Sequence, residues 1–446
     1  MRRDYTLAVA MYVHVPFCRT RCDYCDFNTY AGLDHLMPTY VEALCQEIEI
    51  TSKHWGPLRV PTVYLGGGTP SLLSLDLLAD LIRVLRSTFQ VSRNAEITIE
   101  ANPGTVTPAY LRGLRTLGVN RLSLGAQSAD DDELQMLGRA HNWCDTVKAI
   151  GLACEAGFGN TNLDLIFGLP GQAVEQWQQT LEAALNLQPE HLSLYDLSVE
   201  EGTPLAKGIA GQMLPPTNED HSAAMYELAE EVLAQAGFFH YEISSWAKVD
   251  GRLQTVDCGW WPELHMKHLE PALSEEVSRH VCRHNLTYWR NEPWLGVGAG
   301  AHSWMKGSVL RPAPSDVVST PKGSSKGLPR GVAPSSLKGH RWANARHPSD
   351  YIAAYDPVVP QPASPHSVEE IDRRLEMGET MMLGLRLAEG VRVERFEGRF
   401  WEPLVDVFGD ELKELRDLGL LTWDGSVARL TRRGRLLGNQ VFSRFI

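Results

Sequence analysis

No stretch of this 446-residue chain approaches the roughly twenty consecutive apolar residues that a helix needs to cross a bilayer. Basic residues are in deficit: 42 Lys and Arg stand against 55 Asp and Glu, for a formal net charge of −13. Broad electrostatic capture of nucleic acid is therefore not expected. No apolar leader is seen before the first strand-like run, because Met1-Arg2-Arg3-Asp4 leads almost directly into it. A disulfide framework is disfavoured on that ground. Cysteine is sparse, with eight in all, and the second close Cys or His pair of a structural zinc site is missing. These absences point to a chain of the reducing cytoplasm. Its length suffices for one large α/β domain with one or two smaller parts.

Three of the cysteines fall together in YVHVPFCRTRCDYCDFN, where Cys18, Cys22 and Cys25 are spaced C-x3-C-x2-C. The apolar, alternating run from Ala8 to Val15 reads as a β-strand, so the thiols sit on the loop at its C-terminal end. Soft thiolates at this density suit zinc or an iron–sulfur cluster. Without a fourth protein ligand, a [4Fe–4S] cluster would keep one iron open to another ligand. Cys45, Cys144 and Cys154 fall in helical patterns and read as small core residues.

From Ala8 to about Gly237 one unit repeats: a β-rich run, a Gly/Pro/polar loop, then an amphipathic helix. The strands read as AMYVHV, TVYL, EITIE, RLSLG, TNLDLIF and HLSLYDL, with helices over about 38–55, 75–89, 107–117, 145–157, 174–187 and 219–236. Alternation of this kind predicts a parallel sheet with right-handed crossovers, hence an α/β fold. Six units without a clean seventh and eighth predict an open or partial (β/α)6 barrel. The unusual loops all follow strands, where such folds collect their chemistry.

In Gly66-Gly67-Gly68-Thr69-Pro70 the glycines permit close backbone approach to a ligand. No Lys-Ser/Thr follows, so this is not a phosphate-binding P-loop. Glu100 closes the third strand, either as an acceptor for hydroxyls or an amine or as a solvated rim residue. Gln127 in GAQS can reach into the rim. Arg139 in LGRAH carries a donor fork suited to a carboxylate, or else forms a surface ion pair. Asp164 faces away from Leu163 and Leu165, so a ligand or a basic partner is expected beside it.

FFHYEISSWA, near 240, reads as one strand. Residues 248–281, with GWWPELHMKH and Cys258, break the pattern and read as a small packed insertion. His284-Asn285-Leu286-Thr287-Tyr288-Trp289 reads, on its residues alone, as a core strand with one satisfied histidine. Residues 306–345 are rich in Pro, Ser, Gly and Lys and read as a solvated, locally basic loop. The C-terminal part, 346–446, reads as a separate helical unit. There Ser367 and Glu370 form a capping-box pattern, the run Leu412, Leu415, Leu418, Leu420 and Leu421 forms a second helix and its exit, and Asp424-Gly425 turns a hairpin.

The spacing C-x3-C-x2-C, with Tyr24 before the last cysteine, resembles the radical S-adenosylmethionine (SAM) superfamily. The longer string YVHVPFC…CDYCDFN resembles the branch that holds oxygen-independent coproporphyrinogen III oxidases and the HemW heme chaperones. The resemblance implies a radical SAM core over 1–237, an extension over 238–305 and a winged-helix-like C-terminal domain. It implies SAM contacts at Tyr12, Tyr24, Gly67, Gly68, Thr69, Glu100, Gln127, Arg139 and Asp164, with Ala301 lining the same site. HNxxYW is a motif of the chaperones, which makes His284 the expected heme ligand. Phe27 stands where the oxidases carry a further cysteine, and the extension that precedes the cluster in the oxidases is not seen. The implied function is a heme chaperone that binds a [4Fe–4S] cluster, SAM and heme and delivers heme to apo-hemoproteins such as respiratory enzymes. The alternative is an oxidase that decarboxylates coproporphyrinogen III, so whether the chain is an enzyme stays open. So do a homodimer and a peripheral position at the inner face of the membrane.

Overall fold

The computed structural model describes residues 7–56, 58–249, 279–306, 338–355 and 367–446. The body of the insertion expected at 248–281, with Cys258, and residues 307–337 of the loop expected at 306–345 lie outside the described residues, whereas the end of that loop is a strand over Gly339–Ala343.

The strands follow in chain order as β1 Ala10–Val15, β2 Phe17–Cys18, β3 Tyr30–Ala31, β4 Arg59–Gly67, β5 Gln90–Ala101, β6 Arg121–Gln127, β7 Thr161–Phe167 and β8 His191–Asp196. Then come β9 Phe238–Glu242, β10 Ser245–Lys248, β11 Trp294–Val297, β12 His302–Met305, β13 Gly339–Ala343 and β14 Ser367–Ile371. Twelve of them form one sheet in the order β14-β13-β12-β11-β1-β4-β5-β6-β7-β8-β10-β9. β1, β4, β5, β6, β7 and β8 run parallel, as the six repeating units predict. Helices lie between them: α1 Met37–Trp55, α2 Leu75–Thr88, α3 Pro108–Leu117, α4 Asp131–Met136, α5 Trp143–Glu155, α6 Val174–Asn186, α7 Pro204–Ala210 and α8 Glu219–Gln235. They start where local chemistry says they should. Ser74, Thr107, Asn142 and Asn218 each accept a hydrogen bond from a first-turn N–H of the helix that follows.

The alternation of each strand sorts its side chains between two faces. Val63, Leu65, Ile97, Ile99, Leu122, Leu124, Leu163 and Leu165 are buried in the main apolar core. The opposite face carries Thr62, Tyr64, Glu96, Thr98, Glu100, Arg121, Ser123, Asn162 and Asp164. Few of these can be buried at low cost unless they bond to one another.

Several expectations are corrected here. A further strand, the four-residue β11, adds parallel to β1 on its other side. FFHYEISSWA is a hairpin of two antiparallel strands, β9 and β10, rather than one strand. HNLTYW is not a strand but lies within a short helix, α9 Arg283–Trp289. The segment expected to begin a helix at Ser367 is β14, which pairs with β13 over Gly339–Ala343. The helix begins later, at α11 Arg373–Gly384, following α10 Pro348–Ala354, and Asp372 caps it by accepting from the Leu375 N–H.

The C-terminal region has its own apolar core, with Met381, Phe396, Phe408, Leu412 and Leu415 buried in it. It comprises α11, α12 Val393–Phe400, α13 Leu404–Asp417, α14 Arg432–Leu436 and α15 Gly438–Phe442. A small sheet of β15 Val391–Arg392, β16 Leu421–Trp423 and β17 Val427–Leu430 completes it. The turn between β16 and β17 falls at Asp424-Gly425, with Gly425 at φ 87°, where the dipeptide predicts it. Helices followed by a hairpin give the winged-helix-like outline expected.

Candidate functional site

The cysteine loop is clamped at both ends by backbone. β2 pairs in parallel with β3, Phe17 opposite Tyr30 and Cys18 opposite Ala31, so the loop returns to its starting point. The Gly68 N–H donates to Val15 O and the Thr69 N–H to Phe17 O, at 2.9 and 2.8 Å, which binds the β4 exit to the β1 exit. On the far side, the Asp23 N–H donates to Leu137 O, and the Leu205 N–H donates to Asp23 O. The predicted rim loops do converge.

Each of the three thiols has a donor or hydroxyl nearby. Arg139 Nη1 donates to Cys22 Sγ at 3.2 Å, the Thr69 hydroxyl donates to Cys18 Sγ at 3.7 Å, and Thr29 Oγ1 lies 3.8 Å from Cys25 Sγ. Burial pushes the Cys18 thiol up to about 11, so it would release a proton on binding a metal. Among the described residues, no three His, Cys, Asp or Glu groups converge on one ion-sized point. A cluster asks something different, since each thiolate takes its own iron, and hydrogen bonds to the sulfurs are among the features that tune it. The donor set fits a cluster.

Arg139 does not meet a carboxylate, nor does it form a surface ion pair. Besides Cys22 it donates through Nη2 to Gly125 O at 2.7 Å and to Asn102 Oδ1, while its buried Nε has no hydrogen-bond partner. Asn102 completes the ring by donating through Nδ2 to Thr69 Oγ1 at 3.0 Å. Three strand exits are thereby linked to two cysteines of the triad. Gly125 leaves room for this: a Cβ there would stand 2.9 Å from Gln127 Nε2 and 3.2 Å from Arg139 Nη2. Gln127 itself, at φ 69° and buried, follows a register shift in β6 that turns it toward this group.

Glu100 is not a solvated rim residue. It accepts from the Tyr64 hydroxyl at 2.7 Å and from the Gly67 N–H at 3.0 Å. Burial pushes its carboxyl up to about 7, against the pull of those two bonds and with the help of nearby Asp164. Asp164 has an amide and a hydroxyl at bonding distance, and of the ligand or basic partner expected beside it, the Arg121 guanidinium is near enough to pull its carboxyl down. Asn162 Nδ2 and Ser123 Oγ donate to it at 2.8 and 3.0 Å, and burial holds its carboxyl above the usual range. Tyr24 packs with Leu137, Ile166 and Leu169 beside Arg139. Ala301 is buried near the β11 exit.

Tyr12 lies deeper, beneath the rim. It is opposite Tyr64 in the β1–β4 register, and its hydroxyl bonds His14 Nδ1 at 2.9 Å. His284 lies deeper still. Its ring is 1 % exposed, with Nδ1 3.0 Å from Thr62 Oγ1 and Nε2 2.9 Å from the Tyr288 hydroxyl. Burial drives its imidazole down to about 3. Both ring nitrogens are thus engaged within the protein.

Residues that the sequence reading passed over are Asn102, Tyr64 and His14, whose Nε2 bonds Asn28 O at 2.9 Å. Asn102 had a signal, as the first polar residue after Glu100 at a strand exit. Tyr64 and His14 had none beyond alternation.

The radical SAM superfamily pattern matches residues 12–184, and that of the HemN C-terminal domain matches 371–437. A heme chaperone HemW of Bacillus subtilis (strain 168) is 32% identical over 436 residues, covering 98% of each chain. Another, from Mycobacterium tuberculosis (strain H37Rv), is 33% identical over 438 residues, covering 97% of this chain and 93% of its own. Coproporphyrinogen III oxidase (HemN) from Escherichia coli superposes with a TM-score of 0.76 at 23% identity, over 99% of this chain and 91% of that one. That likeness shows a shared fold. Taken with the clamped cysteine loop and the rim beside it, the full-length similarity establishes that the chain belongs to the HemW family of radical SAM heme chaperones.

Proposed function

We propose that this chain binds heme and passes it to apo-hemoproteins, respiratory enzymes among them, while holding a [4Fe–4S] cluster on Cys18, Cys22 and Cys25 and SAM on the adjacent rim. The supporting observation is similarity in both directions over nearly the whole length of heme chaperones. Phe27, 66% exposed, stands in place of the cysteine that the resemblance assigns to the oxidases. Cys18, Cys22 and Cys25 would hold the cluster, which when bound would supply an iron site for the SAM ligand. The chain's own residues do the rest. Arg139 and Thr69 donate toward cluster sulfurs. Glu100 and Gln127 offer an acceptor and an amide to the ligand, and Tyr24, Gly67, Gly68 and Asp164 line the same rim by the resemblance. Arg139 Nε keeps a donor free for it. In this reading SAM and the cluster gate heme release or dimer formation rather than support turnover. No described helix is long and apolar enough to cross a membrane.

The test is a heme titration of anaerobically reconstituted protein, following the Soret band and the oligomeric state on a sizing column. Saturable, stoichiometric binding supports the proposal. Absence of specific binding, together with SAM-dependent decarboxylation of coproporphyrinogen III over many turnovers, would replace it with the oxidase.

A further inference from the structure

HNxxYW lies on α9, with both ring nitrogens of its histidine bonded within the protein. Helix α9 is fastened beneath the rim from several directions. The Glu96 carboxylate accepts from the Arg283 and His284 N–H groups at 3.1 and 3.0 Å, and the Cys282 N–H donates to the Tyr241 hydroxyl at 3.2 Å. His284 is then fixed by Thr62 on β4 and by Tyr288 one helical turn on.

The faces of that ring are also in use. Its centroid lies 5.1 Å from that of Tyr64, with the planes 29° apart, and 6.4 Å from that of Tyr12. Tyr12 and Tyr64 stand 6.3 Å apart, so the three rings form a compact triangle. Tyr64 carries the hydroxyl that donates to Glu100, and Glu100 also accepts from the backbone of the glycine loop. One continuous set of contacts therefore runs from α9 to the rim carboxylate.

We infer that His284 is a positioning residue for the SAM pocket: it holds the Tyr64 ring, and through the Tyr64 hydroxyl it fixes Glu100 for the ligand. The inference rests on SAM occupying the rim. Its physical basis is preorganisation, since a carboxylate already fixed at its working position loses less freedom when a ligand arrives. A ring wedged by two hydrogen bonds and two aromatic neighbours does this better than one held by packing alone.

The test measures SAM affinity by isothermal titration calorimetry on anaerobically reconstituted full-length protein, with iron content and the heme Soret titration recorded for each variant. Tyr64→Phe should weaken SAM about tenfold, the size of one lost charge-assisted hydrogen bond. His284→Ala should weaken it comparably while iron content stays unchanged. The double variant should be no weaker than the worse single one, because both changes act on the same carboxylate. Tyr288→Phe, which removes only one hydroxyl, serves where His284→Ala does not fold, and it should give a smaller loss of the same kind. SAM affinity within twofold of wild type in the single variants would overturn the inference, as would fully additive losses. Loss of the Soret complex in His284→Ala with SAM binding intact would also overturn it, returning the histidine to iron ligation. Failure of the wild type to bind SAM would instead overturn the reading on which the inference rests.

Discussion

Arg139 faces acceptors from three separate segments: the Cys22 sulfur, the Gly125 carbonyl and the Asn102 amide oxygen. A lysine has one point of charge and no planar fork, so it cannot reproduce this arrangement. Arg139→Met would leave the Gly125 and Asn102 acceptors buried without their donor, at a cost of about 2–3 kcal/mol in urea unfolding. Less iron and sulfide should also be retained per chain after anaerobic reconstitution. Glu100 gives a pH signature of its own. Its carboxyl is raised in the folded chain to about 7, from an ordinary value near 4.5. Between those two values the folded state binds more protons than the unfolded one, so this group lowers stability as pH rises through that window. The melting temperature of Glu100→Gln, taken relative to wild type, should therefore climb between pH 4.5 and 7. A difference that stays flat with pH would show that the carboxyl is not shifted.

At the scale of elements, what was legible followed from local pattern. The six parallel strands announced themselves as apolar runs leaving into Gly, Cys or Asn loops, and β7 was read to its observed limits, Thr161–Phe167. The rim followed from topology, since consecutive parallel strands put their exits on one side. What escaped depended on distant partners or on very short segments. β11 has four residues, and its place beside β1 is decided by chain nearly 300 positions earlier. Helix α9 spans two turns, too few for a 3.6-residue period to show. Ser367-Val368-Glu369-Glu370 has the spacing of a capping box, yet it pairs with β13, helped by Lys338 against Glu370 and by Arg341 against Glu369 at 3.2 Å. Nothing local shows those cross-strand cations. The outcome can be checked by substitution. Asp372→Ala removes the acceptor at the start of α11 and should cost about 1 kcal/mol, whereas Ser367→Ala, on an exposed strand residue, should change urea stability by less than about 0.5 kcal/mol. Equal losses would restore the cap to Ser367.

At the scale of the whole molecule, the C-terminal domain is fastened to the sheet at several places among the described residues, by Arg341 on β13 against Glu379 on α11 at 2.7 Å and at three places away from that edge. The turn of the β9–β10 hairpin exchanges backbone bonds with 386–388: the Ile243 N–H donates to Arg386 O, and the Ala388 N–H donates to Tyr241 O. The end of α9 docks through Arg290 against Glu389 at 3.0 Å, and Asn291 Nδ2 donates to Thr380 Oγ1. The third place is α8, where Glu230 meets Arg435 at 2.8 Å, Arg432 at 3.1 Å and His240 at 3.5 Å. Surface ion pairs usually contribute little, but Glu230 is only 12 % exposed and answers three donors at once. Burial pushes its carboxyl up, yet the His240 hydrogen bond and the Arg435 guanidinium outweigh that and bring it down to about 2. A carboxylate depressed on folding contributes stability above its unfolded value, near 4.5, and loses that contribution as pH falls toward 2. Glu230→Gln should therefore be less stable than wild type at pH 7, by on the order of 2 kcal/mol after allowance for solvent screening. The gap should close as pH is lowered through that window. If it does, the contact between α8 and α14 is an electrostatic joint, and acid would release the C-terminal domain there before the apolar cores give way. A gap that persists at pH 2 would assign the cost to packing instead.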